Sequence, residues 1–238
     1  MTAAGFALVA VAVLFAACLQ ASIGFGMGML AAPVVALVDP TLVPGVIVLL
    51  GAMVTLVVTV RERAALDLRG AGWALTGRVP GTAVGALLVA LLPARGLALL
   101  LAGVVLAGVV LTSLGWAPRP RRRALVTAGA ASGLLGTATG IGGPPMALVW
   151  QGLSGAALRG TMGGFFLVGS VLSVGALALA GAIDGAVLAS SAWLAPFVLA
   201  GYALSRLVNR VLDRRRLRLT AITVSTLGAV LLIAQQLT

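Results

Sequence analysis

The sequence predicts an all-α polytopic membrane protein, with about eight main apolar blocks in two inverted repeats, each opening with a broken helical hairpin. Three observations lead there. Of 238 residues, 61% are hydrophobic and 9% charged, with a mean hydropathy of +1.18, and apolar runs long enough to cross a bilayer recur. The runs are apolar on every face, as in "LVALLPARGLALLLAGVVLAGVVL", whereas membrane β-strands alternate. Finally, the chain resembles itself when shifted along its own length.

In order, the blocks run over about 4–20, 43–60, 71–92, 96–115, 124–138, 161–182, 185–205 and 219–236. A signal peptide needs a basic start. The first basic residue is Arg61, so the first block is expected to stay in place, despite a faintly lipoprotein-like "FAAC" before Leu19. Cys18 in that block reads as a small packing residue. Two further stretches, about 28–38 and 144–155, follow glycine-rich breaks and are too short to cross alone. A shift of 116 lays "ASIGFGMGMLAAP" over "TATGIGGPPMALV", pairing Gly24 with Gly140, Gly26 with Gly142, Pro80 with Pro196 and Gly85 with Gly201. The repeats are therefore read as 1–116 and 117–238, within one integral membrane domain.

Orientation follows from the basic residues, all of them arginines. They cluster in "RERAALDLR" (61–69), "RPRRR" (119–123), at Arg159 and in "RLVNRVLDRRRLR" (206–218), the bias of cytoplasmic loops. That bias accounts for the net charge of +11 without nucleic acid. Placing these segments inside, with Arg95, Asp39 and Asp184 outside, requires 124–158 to leave the cytoplasm and return as a hairpin. By the repeat, 4–38 is the matching hairpin, inserted from the outer face. The two halves are then inverted, and both termini are expected on the periplasmic side.

Irregular backbone inside a bilayer survives only where protein or water satisfies it. Matched interruptions in inverted halves point to a transporter's substrate site near the midplane. Pro144 or Pro145 is expected to start the second short helix, with Gly142 and Gly143 supplying the turn and Thr137, Thr139 and Gly140 beside it. In the first half, Gln20 and Ser22 precede Gly24, Gly26 and Gly28. The short helices would point their unpaired N–H groups and partial positive charge at the centre, where an anion can bind. Arg78, about seven residues into the third block, either snorkels to the cytoplasmic surface or holds an anion. Its distance from the block's end favours snorkelling. Arg159 carries the same ambiguity, and Gln20 and Gln151 are candidate substrate donors, although a helix–helix hydrogen bond is the commoner use of such groups.

With one cysteine and no histidine, a zinc or haem site lacks its ordinary ligands. The glycine runs lack the residues that complete a nucleotide motif, and almost no titratable group lies within the blocks for acid–base catalysis. No metal, cofactor or enzymatic activity is expected. The segments "GFGMGMLAAPVVAL", "GTATGIGGPPMALVWQG" and "LRGTMGGFF" resemble the TauE/SafE group, the sulfite exporter or sulfonate-permease-like membrane anion transporters. The resemblance spans nearly the whole chain. It implies movement of small anions such as sulfite, sulfoacetate or related sulfonates across the bacterial cytoplasmic (inner) membrane. The expected partners are a small anion and the lipid bilayer, not nucleic acid; a homo-oligomer and a coupling proton are compatible with this reading. Two mechanisms fit: a secondary transporter that rocks one half against the other, and an anion channel using the same helix ends.

Overall fold

The computed structural model describes residues 2–113 and 119–211, and within them the chain is built from helices and turns without a strand. Helix α1 (Ala3–Ile23) starts where the Thr2 hydroxyl accepts a hydrogen bond from the Gly5 N–H, at 3.1 Å. It ends at Gly24, whose φ of +90° is a left-handed conformation that glycine adopts without a Cβ penalty. Helix α2 (Met27–Val38) then folds back along α1, placing Val38 against Gly5. Asp39 accepts from Thr41 N–H and closes the turn to α3 (Gly45–Glu62). Asp67 caps α4 (Leu68–Leu91) through Gly70 N–H, at 3.0 Å, and α5 (Ala94–Ser113) follows.

From Arg122 a long helix again runs through a glycine turn into a shorter one. Helix α6 (Arg122–Thr139) ends at Gly140, with φ +78°, the counterpart of Gly24. The chain reverses, and Gly142 packs beside Ser132 and Gly136 of α6 before α7 (Gly143–Val149) begins. Helices α8 (Gly155–Leu179) and α9 (Gly185–Val211) complete the described chain. Pro80 and Pro196 both sit inside long helices, α4 and α9; neighbouring helices in a membrane can satisfy the carbonyls that a proline leaves free.

Among the described residues, five helices are long and apolar enough to cross a membrane: α1, α3, α4, α8 and α9. Leu8, Phe15, Val171, Leu179 and Trp193 point outward from these helices and are exposed, as expected of surface that meets lipid rather than water. Helix α6 is not among the five because Arg122, Arg123 and many small residues dilute its apolarity. The block at 219–236 lies outside the described residues. Elsewhere helices overrun their apolar blocks: α8 starts at Gly155, six residues before 161, and α9 continues through Arg206 to Val211. Arginine is a good helix former, so a polar end need not end a helix. The second short helix is shorter than the apolar stretch 144–155, because the chain turns at residues 150–152.

Packing is crosswise. Helix α4 runs alongside α6 in the same direction, with Gly77, Gly81 and Gly85 one turn apart. A methyl group on Gly77 or Gly81 would overlap the carbonyl oxygen of Val126 or Ala130, and one on Gly129 would overlap that of Ala74. This is backbone-to-backbone contact of the kind small residues permit in membranes. In the same manner Gly201 of α9 meets the Leu14 carbonyl and Ala17 of α1, and α3 lies against α8. One apolar core gathers α1, α2, α3, α5 and α9, and a second gathers α4, α6, α7 and α8. Phe25, in the first break, packs against both.

Among the described residues, Arg61, Arg122, Arg159 and Arg206 gather at one end of the bundle. Arg159 of α8 pairs with Glu62 of α3, Arg61 meets Tyr202 of α9, Asp67 N–H donates to Thr161, and Arg122 stacks on Trp73 at 3.7 Å. Thr41, Val89, Leu97, Gly181 and Asp184 line a cavity at the opposite end.

Candidate functional site

Between the two cores lies a cavity of about 50 Å³, walled by both glycine breaks and by α3, α4, α6 and α8. At roughly 10–15 Å³ per water, it holds about four waters or an oxyanion the size of sulfite. It sits about midway along α4, since Arg78 is the eleventh residue of that helix, about 15 Å from its start at 1.5 Å per residue. The two breaks touch here: a methyl group on Gly28 would overlap the Gly140 carbonyl oxygen.

Arg78 dominates the chemistry. Its side chain is 3% exposed, which rules out the snorkelling arrangement favoured by the sequence. Helix α4 begins at Leu68, three residues before the apolar block, so the surface is farther from Arg78 than the block implied. The guanidinium donates from Nη1 to the Ser132 hydroxyl at 3.0 Å, and Ser132 in turn donates to the Gly142 carbonyl at 2.6 Å. The charge is thus tied to the second break. Phe165 and Phe166 face it at 4.9 and 5.5 Å from their ring centroids. A side chain at Gly169 would overlap the guanidinium, so that glycine makes room for it.

Arg78 Nε is buried and has no hydrogen-bond partner, and among the described residues the only ion pair is Arg159–Glu62. A buried charge costs several kcal/mol even after relaxation. One charge-assisted hydrogen bond and aromatic contacts return about 1.5–3 and 0.5–2 kcal/mol. The site therefore favours arrival of a negative charge.

Gln20 and the start of α2 form the facing wall. Gln20 Oε1 accepts from Met27 N–H at 2.9 Å, which turns its amide nitrogen into the available donor. Gly28 and Met29 also line the cavity, and as first-turn residues of a twelve-residue helix their N–H groups lack intrahelical acceptors. The start of α7 is different. Two of its first-turn positions are Pro144 and Pro145, which have no N–H, and Gly143 rather than a proline is its first residue.

Of the residues singled out from the sequence, Gln20, Gly26, Gly28, Arg78, Gly140, Gly142 and Gly143 line the cavity. The others lie elsewhere. Ser22 bonds back to the Cys18 carbonyl, and Gly24 packs on Met162. Thr137 bonds Ser173, and Thr139 closes the end of α6 through Leu135 O and Ile141 N–H. Pro144 is buried within α7, outside the lining. Arg159 is held by Glu62 at 2.8 Å, away from this cavity. The sequence reading missed Ser132, Phe165, Phe166, Gly169 and Ser170. Their only signal was position: Ser132 lies one helical face from the break, and the Phe-Phe pair precedes Gly169 by about one turn.

The arrangement is that of a multi-pass helical membrane protein with a buried cation that makes no ion pair among the described residues, set beside a helix start. The chain matches the profile of the sulfite exporter TauE/SafE over residues 9–232, nearly its whole length, and it belongs to that family. No curated protein and no solved structure matches it. The family are membrane transporters rather than enzymes.

Proposed function

We propose that the protein is a secondary transporter of small oxyanions, sulfite or related sulfonates such as sulfoacetate, across the bacterial cytoplasmic membrane. The observation that carries this reading is Arg78: buried, lacking a carboxylate partner among the described residues, and set on the cavity where both breaks meet. The anion would take the guanidinium of Arg78, the amide of Gln20 and the first N–H groups of α2 as its ligands. The cavity's size suits sulfite; a longer sulfonate would need it to widen.

The two halves, 1–116 and 117–238, are read as inverted repeats. Support comes from the left-handed glycines that end α1 and α6, and from reciprocal packing. Under the 116-residue shift α1 corresponds to α6 and α4 to α9, and the pairing α4 with α6 becomes α9 with α1. This pattern changes the expected motion. Because α4 is locked to α6 and α9 to α1, the bodies that rock are crosswise blocks, each mixing helices of both halves, rather than one half against the other. The arginine-rich end is assigned to the cytoplasm by charge.

Counterflow of labelled sulfite, sulfate, sulfoacetate and carboxylates in proteoliposomes, with and without a pH gradient, tests this reading. Saturable exchange is expected, with coupling read from the gradient. Ohmic single-channel currents would instead establish the anion-channel alternative.

A further inference from the structure

At the arginine-rich end lies a second cavity of about 310 Å³, between the end of α3, the start of α8 and the end of α9. Its wall carries three arginines, Arg61, Arg159 and Arg206, against one carboxylate, Glu62. Arg159 pairs with that carboxylate, with Nη2 at 2.8 Å and Nε at 3.1 Å from one of its oxygens, which leaves the wall with an excess of positive charge. Arg61 and Arg206 make no ion pair among the described residues, although Glu62 lies next to Arg61, and both converge on Tyr202: Arg61 Nη1 donates to its hydroxyl at 3.3 Å, and the Arg206 guanidinium lies 5.3 Å from its ring centroid. The floor reaches Ala21, the neighbour of Gln20 in the central cavity. Adjacent Cα atoms are about 3.8 Å apart, so the same turn of α1 contributes to both spaces.

We propose that this vestibule is a second anion site, where Arg61 and Arg206 capture a small, still hydrated oxyanion before it sheds water to enter the central cavity; it rests on the anion-transport reading. The roughly sixfold difference in volume assigns the roles, since the vestibule has room for a hydration shell and the central cavity does not. The cavity at the opposite end, about 250 Å³, carries Asp184 and no arginine in its lining. Capture is therefore one-sided: clefts of predominantly one charge raise local ligand concentration and on-rates by 10-fold or more, and among the described residues such a cleft lies at the arginine-rich end.

The test uses the full chain and labelled sulfite, with flux measured from each face of orientation-sorted proteoliposomes. In the double variant Arg61→Gln/Arg206→Gln, KM at the arginine-rich face is expected to rise about tenfold at low salt. Maximal flux and the KM at the other face stay unchanged, and the difference vanishes near 1 M salt, where the screening length is about 3 Å. Arg61→Lys/Arg206→Lys keeps the charge and should retain most of the low KM. An unchanged KM, or an equal rise at both faces, overturns the proposal. Equilibrium binding separates it from the central site: Arg78→Gln should keep a weak, salt-sensitive class of sulfite binding that the double substitution removes. If Arg78→Gln leaves flux intact while the one-sided KM shift persists, the central assignment fails and the vestibule stands. If Arg78→Gln abolishes all binding, the vestibule is not a site.

Discussion

The two glycine breaks match in sequence but are finished differently. After Gly24 the chain enters a twelve-residue helix whose first N–H is taken by Gln20, leaving the next donors on the cavity wall. After Gly140 it enters a seven-residue helix with two prolines in its first turn, so donors are missing there. What that second break contributes is a carbonyl, Gly142 O, which anchors Ser132 and through it Arg78. One break thus presents partial positive charge, and the other positions a full one. Similar glycine spacing does not impose a similar role: where prolines remove backbone donors, a side chain supplies the charge.

The comparison can be broken most severely at the full charge. Arg78→Gln should cut sulfite flux about a hundredfold or more, since truncating one partner of a buried charged interaction costs about 2–5 kcal/mol. Arg78→Lys should recover only part, because lysine lacks the planar fork. Next is the contact between the breaks. Gly28→Ala forces a methyl group onto the Gly140 carbonyl, and overpacking of about 1–3 kcal/mol should lower the melting temperature in detergent and reduce flux at least tenfold. Membrane insertion should be normal.

The two anchors come third and differ from each other. Ser132→Ala strands Gly142 O and frees Arg78, so sulfite affinity should fall about tenfold, within the 1–3 kcal/mol of an unsatisfied buried group. Gln20→Ala removes a cap of about 1 kcal/mol and should raise KM about fivefold. The smallest effect is expected at Pro144→Ala, which restores an N–H to α7. If that end donates nothing to the anion, flux changes less than twofold; a large loss would restore equivalence between the breaks.

Much of this was legible in the sequence. The shift of 116 located both left-handed turns, because a reversal between helices needs glycine where φ is positive, and Gly24 and Gly140 supply it. The place of Arg78 was misjudged because apolar blocks understate helix length: Asp67 caps α4 ahead of the block, and Arg69 is already helical. Ser132, Phe165 and Gly169 were hidden for another reason. Each matters through a contact between helices far apart in the chain, and periodicity within one helix carries no information about its neighbour. The glycine ladder at 77, 81 and 85 went unread for the same reason, since the helix that fills it, α6, lies far along the chain.

That ladder has a consequence for how the protein is made. The glycine face of α4 is synthesised well before α6, and α1 waits still longer for α9. Neither helix can reach its final partner until the ribosome has passed the middle of the chain. A protein severed between the halves would yield two fragments, each missing the surface its own helices fit. Made together, the fragments should clasp into a working molecule; made apart, each should be left for quality control to remove.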